Sequence, residues 1–318
     1  MRTFAACGAL AVALASAAVA ADHVQELIAR GSFAAALPLL ESAREAAALA
    51  GRHDHEVATV LNNLGTVYDE LGRLRDAQSM FERSLAIRRN LGELETREAA
   101  STVNNLGTIY MKLCLYSKAE EMLRQAVALE EKLSGGDDLN VARVWINLGM
   151  VYQAEQRWDE AEEVFRKTLE IRERELGPSD REVAIVLNNL GVLLQSRNRL
   201  EEAEPLLQRA VRVWESAIGA VHPWVAAGFN NLGVLYTALG RAADAEANFK
   251  KALRIAAAAL PANHPNLSSY MASYANLLRK LGRRDEAKRL EESAAESRER
   301  YRRENLLGYT IDARRVRK

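Results

Sequence analysis

The chain repeats itself every 42 residues. Asn-Leu-Gly stands at Asn63-Leu64-Gly65, Asn105-Leu106-Gly107, Asn147-Leu148-Gly149, Asn189-Leu190-Gly191 and Asn231-Leu232-Gly233, each 42 residues after the last. Alanine keeps the same interval at Ala77, Ala119, Ala161, Ala203, Ala245 and Ala287. Two markers in phase over this length do not arise by chance, and a fixed period of this size marks a solenoid, propeller or array. A sixth unit keeps the period and loses the motif, since Met271-Ala272-Ser273-Tyr274-Ala275 replaces Phe229-Asn230-Asn231-Leu232-Gly233. A degenerate unit over about 23–50 precedes the first, where Gly31-Ser32-Phe33 leads to Ala36 one residue out of phase. Pro38 and Pro205 coincide once that shift is allowed.

Composition decides between helical and β repeats. Aromatics make up 6% of the 318 residues, with 6 prolines and 18 glycines, and alanine is abundant. Sheets need more β-branched and aromatic side chains and more turn residues. The periodicity agrees. Val57, Val60, Leu61, Leu64, Val67, Tyr68 and Leu71 fall at three- and four-residue spacings, which predicts a helix. Gly72-Arg73 breaks it, and a second helix near Arg75 to Leu91 carries Ala77, Met80, Phe81, Leu85 and Ile87 on its apolar side. Gly65 and Ala77 are expected where the two helices cross, with Tyr68 one turn on and facing the second helix. One such hairpin cannot bury its apolar faces alone, so neighbours must stack into one continuous core.

These residues resemble the tetratricopeptide repeat. The small residue after leucine, the aromatic three positions later and the alanine of the second helix carry the likeness. They are Gly65, Tyr68 and Ala77; Gly107, Tyr110 and Ala119; Gly149, Tyr152 and Ala161; Gly191 and Ala203; and Gly233, Tyr236 and Ala245. The period and the Asn-Asn-Leu-Gly and Ala-Glu-Pro-Leu phrases are similar to the kinesin light chain variety. The resemblance covers roughly residues 23 to 305 and implies an all-α fold, a right-handed α-solenoid of antiparallel helix pairs. A pentatricopeptide-type RNA reader has a period near 35 and is disfavoured.

On a helical wheel the side of the first helix away from Gly65 carries Thr59, Asn63, Thr66 and Glu70. The resemblance implies that this side lines a concave groove. Asn63, Asn105, Asn147, Asn189 and Asn231 then form a ladder. An asparagine amide donates and accepts, so a ladder of them can satisfy the backbone of an extended peptide, or it can bond between repeats and fix their stacking. Asn62, Asn104, Asn188 and Asn230 lie nearer the packed face and suit a structural role. Thr66, Thr108, Lys112 and Arg143 complete the candidate peptide-binding set. The groove cations are scattered, which argues against a multi-lysine clamp for a C-terminal carboxylate.

No phosphate loop, nucleophile elbow or zinc motif appears. His53 and His55 flank Asp54 in an inter-repeat loop, where a solvated helix start is favoured over a metal site. His222-Pro223 and His264-Pro265 recur with the loop and read as turn chemistry. Cys114 takes the place of Gly72, Gly240 and Gly282, as do Gln156 and Asn198, and reads as an inert substitution. Trp145, Trp158 and Trp214 suit core packing, and Trp224 is the aromatic best placed for a partner. No catalytic residue, cofactor or metal is expected.

The two ends are read separately. Residues 1–20 have a short basic start, an apolar core and Ala18-Val19-Ala20, the pattern of a signal peptide cleaved before Ala21. Cys7 leaves with it, so Cys114 has no internal disulfide partner. The expected place is the bacterial periplasm, with no stable membrane insertion. The net charge is +0, which excludes a whole-protein basic field for nucleic acid. From Arg279 to Lys318, however, 14 basic residues face 8 acidic ones. The last helix is expected near Arg284 to Arg303, followed by an extended basic tail over 306–318. The reading that results is a non-catalytic scaffold spanning 21–305 that binds a peptide or protein segment in its groove. The alternative is a regulatory or recruiting subunit of a cell-envelope enzyme complex, acting through the convex face or the basic tail.

Overall fold

In the computed structural model, residues 23–135 and 138–307 are described, with backbone alone for 304–307. The readings placed on residues 1–20, on Cys7 and on the tail beyond Leu307 lie outside the described residues. All regular structure described is helical. Residues 23–29 form α1. Then come α2 (Phe33–Leu49), α3 (His55–Glu70), α4 (Leu74–Leu91), α5 (Arg97–Lys112), α6 (Tyr116–Ser134) and α7 (Leu139–Ala154). They are followed by α8 (Trp158–Leu176), α9 (Arg181–Ser196), α10 (Leu200–Ile218), α11 (Pro223–Ala238), α12 (Ala242–Ala259), α13 (Pro265–Lys280) and α14 (Arg284–Leu307). The first helices α3, α5, α7, α9, α11 and α13 all have 16 residues and start 42 residues apart.

Local chemistry fixes these boundaries. Each first helix is opened by a side chain that accepts from a first-turn amide. Asp54 caps Val57 N at 3.2 Å, Thr96 caps Ala99 N at 3.2 Å, and Asp180 caps Glu182 N at 2.7 Å. His222 and His264 do the same through Nδ1, from Trp224 N at 3.1 Å and Asn266 N at 3.2 Å. The prolines after them sit in the first turn, where a missing N–H costs nothing. The turn inside each hairpin needs a left-handed residue. Gly72, Gly240 and Gly282 supply it, and Cys114, Gln156 and Asn198 adopt it with φ 59°, 61° and 60°. Pro38 and Pro205 are each the sixth residue of their helix, on an exposed face where water can reach the carbonyl left without a partner.

The chain forms two compact units, one up to Gln156 and one from Arg157. In the first, α3 packs on α4 and α5 on α6 as hairpins, while α4 meets α5 and α6 meets α7. Helix α3 also touches α5, and α5 touches α7, but no comparable contact joins α4 to α6 among the described residues. The first helices therefore lie on the inside of the curve. The second unit repeats the plan, with α9 touching α11 and α11 touching α13 on the inside.

The regular interval of small residues has a steric cause. A Cβ on Gly65 would stand 2.6 Å from the Phe81 ring, one on Gly107 2.8 Å from Leu123, one on Gly191 2.7 Å from Leu207 and one on Gly233 2.7 Å from Phe249. Those four partners are among the fully buried side chains. Each lies 16 residues after its glycine, on the second helix of the same hairpin. Ala77, Ala119, Ala161, Ala203 and Ala245 are all fully buried, so the second helix can come close.

One expectation is extended and one corrected. Tyr68 lies against the start of its own second helix, with the Arg73 guanidinium 4.1 Å over its ring, and its hydroxyl also donates to Glu41 on α2, in the preceding repeat, at 2.7 Å. Helix α14 does not stop near Arg303 but runs to Leu307, so Leu306 and Leu307 are helical instead of extended. No glycine or proline interrupts the chain between Arg284 and Leu307, and leucine is a good helix former.

Candidate groove and the family

The inner helices carry the predicted groove residues, and most of their polar groups are already engaged. Asn147 Nδ2 donates to Asn104 Oδ1 at 2.8 Å, joining α7 to α5. Asn231 Nδ2 donates to Asn188 Oδ1 at 2.8 Å, joining α11 to α9. In each unit a ladder asparagine thus holds the first-position asparagine of the repeat before it. Between α5 and α3 the same bridge is made by Thr102, whose hydroxyl donates to Asn62 Oδ1 at 3.0 Å. Asn105 Oδ1 accepts a longer bond from Asn104 Nδ2 at 3.4 Å. Asn63 and Asn189 are half-buried and make no side-chain hydrogen bond among the described residues.

The register also shows where the ladder ends. Ser273 stands where the next ladder asparagine would be, and its short side chain donates to Ser269 O at 3.2 Å. Asn230 Oδ1 is left buried without a partner. The residues that tie the repeats together belong to the same row that the sequence places along the expected groove.

The other predicted groove residues divide in two. Thr66 and Thr108 turn their hydroxyls onto their own helices, at Asn62 O and Asn104 O. Lys112 Nζ is held by both carboxylate oxygens of Asp69, at 2.7 and 2.8 Å. Arg143 is half-exposed and stands 3.6 Å from Glu130. What the inner face leaves open is apolar and small. Met150 is 39% exposed, and Ala154, Ser196 and Ala238 are exposed while Val192 and Val234 are half-buried. In each unit the inner helices thus present side chains that can pack against an extended segment.

A second network with the same period escaped the sequence reading. A tyrosine on a first helix donates to a glutamate on the preceding second helix. The pairs are Tyr68–Glu41 at 2.7 Å, Tyr110–Glu82 at 2.9 Å, Tyr236–Glu204 at 3.0 Å and Tyr274–Glu246 at 2.8 Å. An arginine at the start of the second helix closes several of these sets. Arg241 reaches Glu204 at 2.9 Å and Asp244 at 2.8 Å, and its guanidinium lies 4.3 Å over the Tyr236 ring. Arg283 reaches Glu246 and Glu286, each at 2.7 Å. Burial and the bonded carboxylate push Tyr68, Tyr110 and Tyr274 up to about 12. Hydrogen bonds from Lys250, Arg283 and Tyr274 hold Glu246 down at about 2. These groups tie repeats together. The 42-residue recurrence of Arg157, Arg199, Arg241 and Arg283, each three residues before an acid, was the available signal.

The remaining candidates keep structural places. His53 and His55 are exposed on either side of the capping Asp54, and among the described residues no three His, Cys, Asp or Glu side chains converge as a metal site. Cys114 is exposed. Trp145 and Trp214 are buried, Trp158 is half-buried at the start of α8, and Trp224 is 36% exposed against Trp214 and His222. No described helix is long and apolar enough to cross a membrane.

A family profile described as Tetratricopeptide repeat matches residues 11–90, 98–174, 140–216, 182–258 and 224–300. None of the curated proteins compared with the chain matches it. Among solved structures, the chain is similar to a putative kinesin light chain with nearly identical TPR-like repeats from Podosopora anserina. The identity is 23% and the TM-score 0.52, over 64% of this chain and 96% of that one. It is also similar to the apo form of the quorum sensor NprR from B. thuringiensis, at 17% identity and TM-score 0.69, over 85% and 73% of the two chains. The Rap conjugation gene regulator of the plasmid pLS20, in complex with the Phr* peptide, is similar at 16% identity and TM-score 0.65, over 88% and 73%. Such identities speak for the fold alone. With its helix pairs, their 42-residue register and the family profile in agreement, the chain belongs to the tetratricopeptide repeat family and is an α-solenoid with kinesin light chain-like repeats.

Proposed function

We propose that this protein is a non-catalytic scaffold, exported to the periplasm, that binds an extended peptide or protein segment along the inner face of its first helices. The observation that carries the reading is the state of that face. Part of its polar ladder is taken up by bonds between repeats, Asn147 to Asn104 and Asn231 to Asn188, while Met150, Ala154, Ser196 and Ala238 remain open. A preformed face costs little ordering on binding, which favours affinity. The similar structure holding the Phr* peptide supports the same use of the fold. The signal-like residues 1–20 support export.

The test is a pull-down from envelope extract with the purified chain. Met150→Glu and Ala238→Glu leave the ladder intact and place charge on the open face. Loss of a partner by both variants, with unchanged helicity, is the expected result. Retention of every partner sinks groove binding. Separately, a reporter enzyme active only outside the cytoplasm, fused after residue 318, tests export.

A further inference from the structure

The first unit has a buried carboxylate with an incomplete set of partners, on a second helix. Glu130, near the end of α6, is 2% exposed. Its Oε1 stands 3.6 Å from Arg143 Nη2, outside hydrogen-bond reach, and its Oε2 has no hydrogen-bond partner. The equivalent places 42 residues away carry the opposite sign. Arg88 and Arg172 are buried there, Arg88 3.6 Å from Glu93 and Arg172 3.1 Å from Glu182, and each also keeps a buried Nε without a hydrogen-bond partner. Glu130 thus inverts a position that the repeat fills with arginine on both sides.

Its charged surroundings come from both neighbouring helices. Arg143 faces it from α7, Asp138 from the start of α7, and Arg97 from the start of α5. Within α6, Ser134 donates to the Glu130 backbone carbonyl and not to the carboxylate, and Lys132 is drawn to Glu95 at 2.6 Å. Arg97 is exposed and makes no ion pair among the described residues. Burial pushes the Glu130 carboxyl up, the two arginines oppose that, and Asp138 adds to it. A buried carboxylate without a full set of donors is costly to keep ionised. Proton uptake here takes the Glu130 charge away from Arg143 and Arg97, which stand beside the groove.

We propose that Glu130 is a proton-operated counter-charge for the groove: ionised, it occupies Arg143; protonated, it frees Arg143 and Arg97 to take an acidic side chain of the bound peptide. This rests on the groove reading and names the chemistry of its ligand. Arg143 lies one turn before the ladder residue Asn147, so an anchored acidic side chain lies beside the ladder. Protonation adds a unit of positive charge to the site without moving the backbone.

The full chain and its Glu130→Gln, Arg143→Gln and doubly substituted variants test this. Gln reproduces the uncharged carboxyl. Binding of fluorescein-labelled acetyl-hexaglutamate is read by polarisation at constant pH 7, with a hexaserine peptide as control. In parallel, the Glu130 carboxyl is titrated by 13C NMR in the wild type and in Arg143→Gln. Glu130→Gln is expected to bind hexaglutamate about tenfold tighter than wild type, as loss of a neighbouring opposite charge implies. Arg143→Gln in that background is expected to remove the gain. Glu130 is expected to titrate above the ordinary carboxylate range, and higher still without Arg143. Equal binding by wild type and Glu130→Gln, a gain that survives Arg143→Gln, or an ordinary titration overturns the proposal. The NMR titration stands even where Glu130→Gln does not fold. Failure here, with the natural partner still lost by Met150→Glu and Ala238→Glu, overturns the proton switch alone; failure of both removes the groove.

Discussion

Gly233 offers the sharpest packing test. Adding a methyl group there favours the helix by about 1 kcal/mol, because alanine loses less backbone freedom than glycine. Space opposes it. The new Cβ would lie 2.7 Å from Phe249 Cδ1 and Cε1 and 3.0 Å from Cγ, so the clash is with the body of the ring and not a flexible tip. Phe249 is 1% exposed, and it stacks on Tyr274 at 5.8 Å between ring centroids. Moving the ring therefore disturbs Tyr274 and its bond to Glu246. Overpacking of this kind costs about 1–3 kcal/mol. The ring is fully buried and cannot swing clear, so the upper part of that range, about 2–3 kcal/mol, applies, and Gly233→Ala loses about 1–2 kcal/mol once the helix gain is subtracted. Urea melts followed by far-UV circular dichroism measure the total. Hydrogen exchange of α11 and α12 amides locates it, since repeat arrays do not always unfold in one step. A double-mutant cycle with Phe249→Ala should show coupling of about 1 kcal/mol or more, because the truncated side chain no longer meets the methyl group. A Gly233→Ala chain as stable as wild type would refute the close approach of the two helices.

Three further outcomes follow from the same geometry. Cys114→Gly and Gln156→Gly should each raise stability by about 0.5–1 kcal/mol, because both residues hold φ near 60° where glycine has no Cβ penalty; unchanged urea midpoints contradict this. Burial pushes the capping imidazoles of His222 and His264 down from 6.5. A depressed histidine favours the neutral form in the fold, so its stabilising share is complete above the unfolded value and is lost as pH falls from about 6.5 toward the folded value. Asn at both positions keeps a cap without titrating, and a melt series between pH 7 and 5 should be flatter in that variant. Glu246→Gln should cost about 1–2 kcal/mol by loosening Arg283, Lys250 and Tyr274 together. Its carboxyl sits at about 2, so the contribution is present above the ordinary 4.5 and fades as pH falls toward 2; a thermal melt at pH 7 matching wild type argues against the network.

The period, the helix pairs and the turn positions were legible because their causes are local. Asp54, His222 and Pro223 open helices, and Gly72 or Cys114 closes the hairpin, through groups only a few residues away. The glycine-to-ring contacts were half legible. The small residue was plain, but that Phe81 and Leu123, 16 residues on, are what it accommodates required the packed pair. The Tyr–Glu–Arg network was not read because each partner lies a repeat earlier, 27 to 32 residues away for the tyrosines. Periodicity marks a position without naming what it touches. The bond from Tyr68 to Glu41 was missed for that reason. The ladder asparagines were recognised as a row, yet only the structure shows Asn147 and Asn231 each donating an amide proton to the previous repeat. Glu130 looked like any helical glutamate, because burial is a property of the stack.

Site-specific photocrosslinking tests the central claim most directly. A photoreactive residue replaces Ala154, Ser196 or Ala238 on the inner helices, or Arg83 or Glu170, exposed on α4 and α8, one variant at a time. The chain is expressed in its own cells and irradiated there. The account predicts crosslinks to a common partner from the inner positions and none from the outer two. Crosslinks confined to Arg83 and Glu170, or to neither face, contradict a groove-binding scaffold.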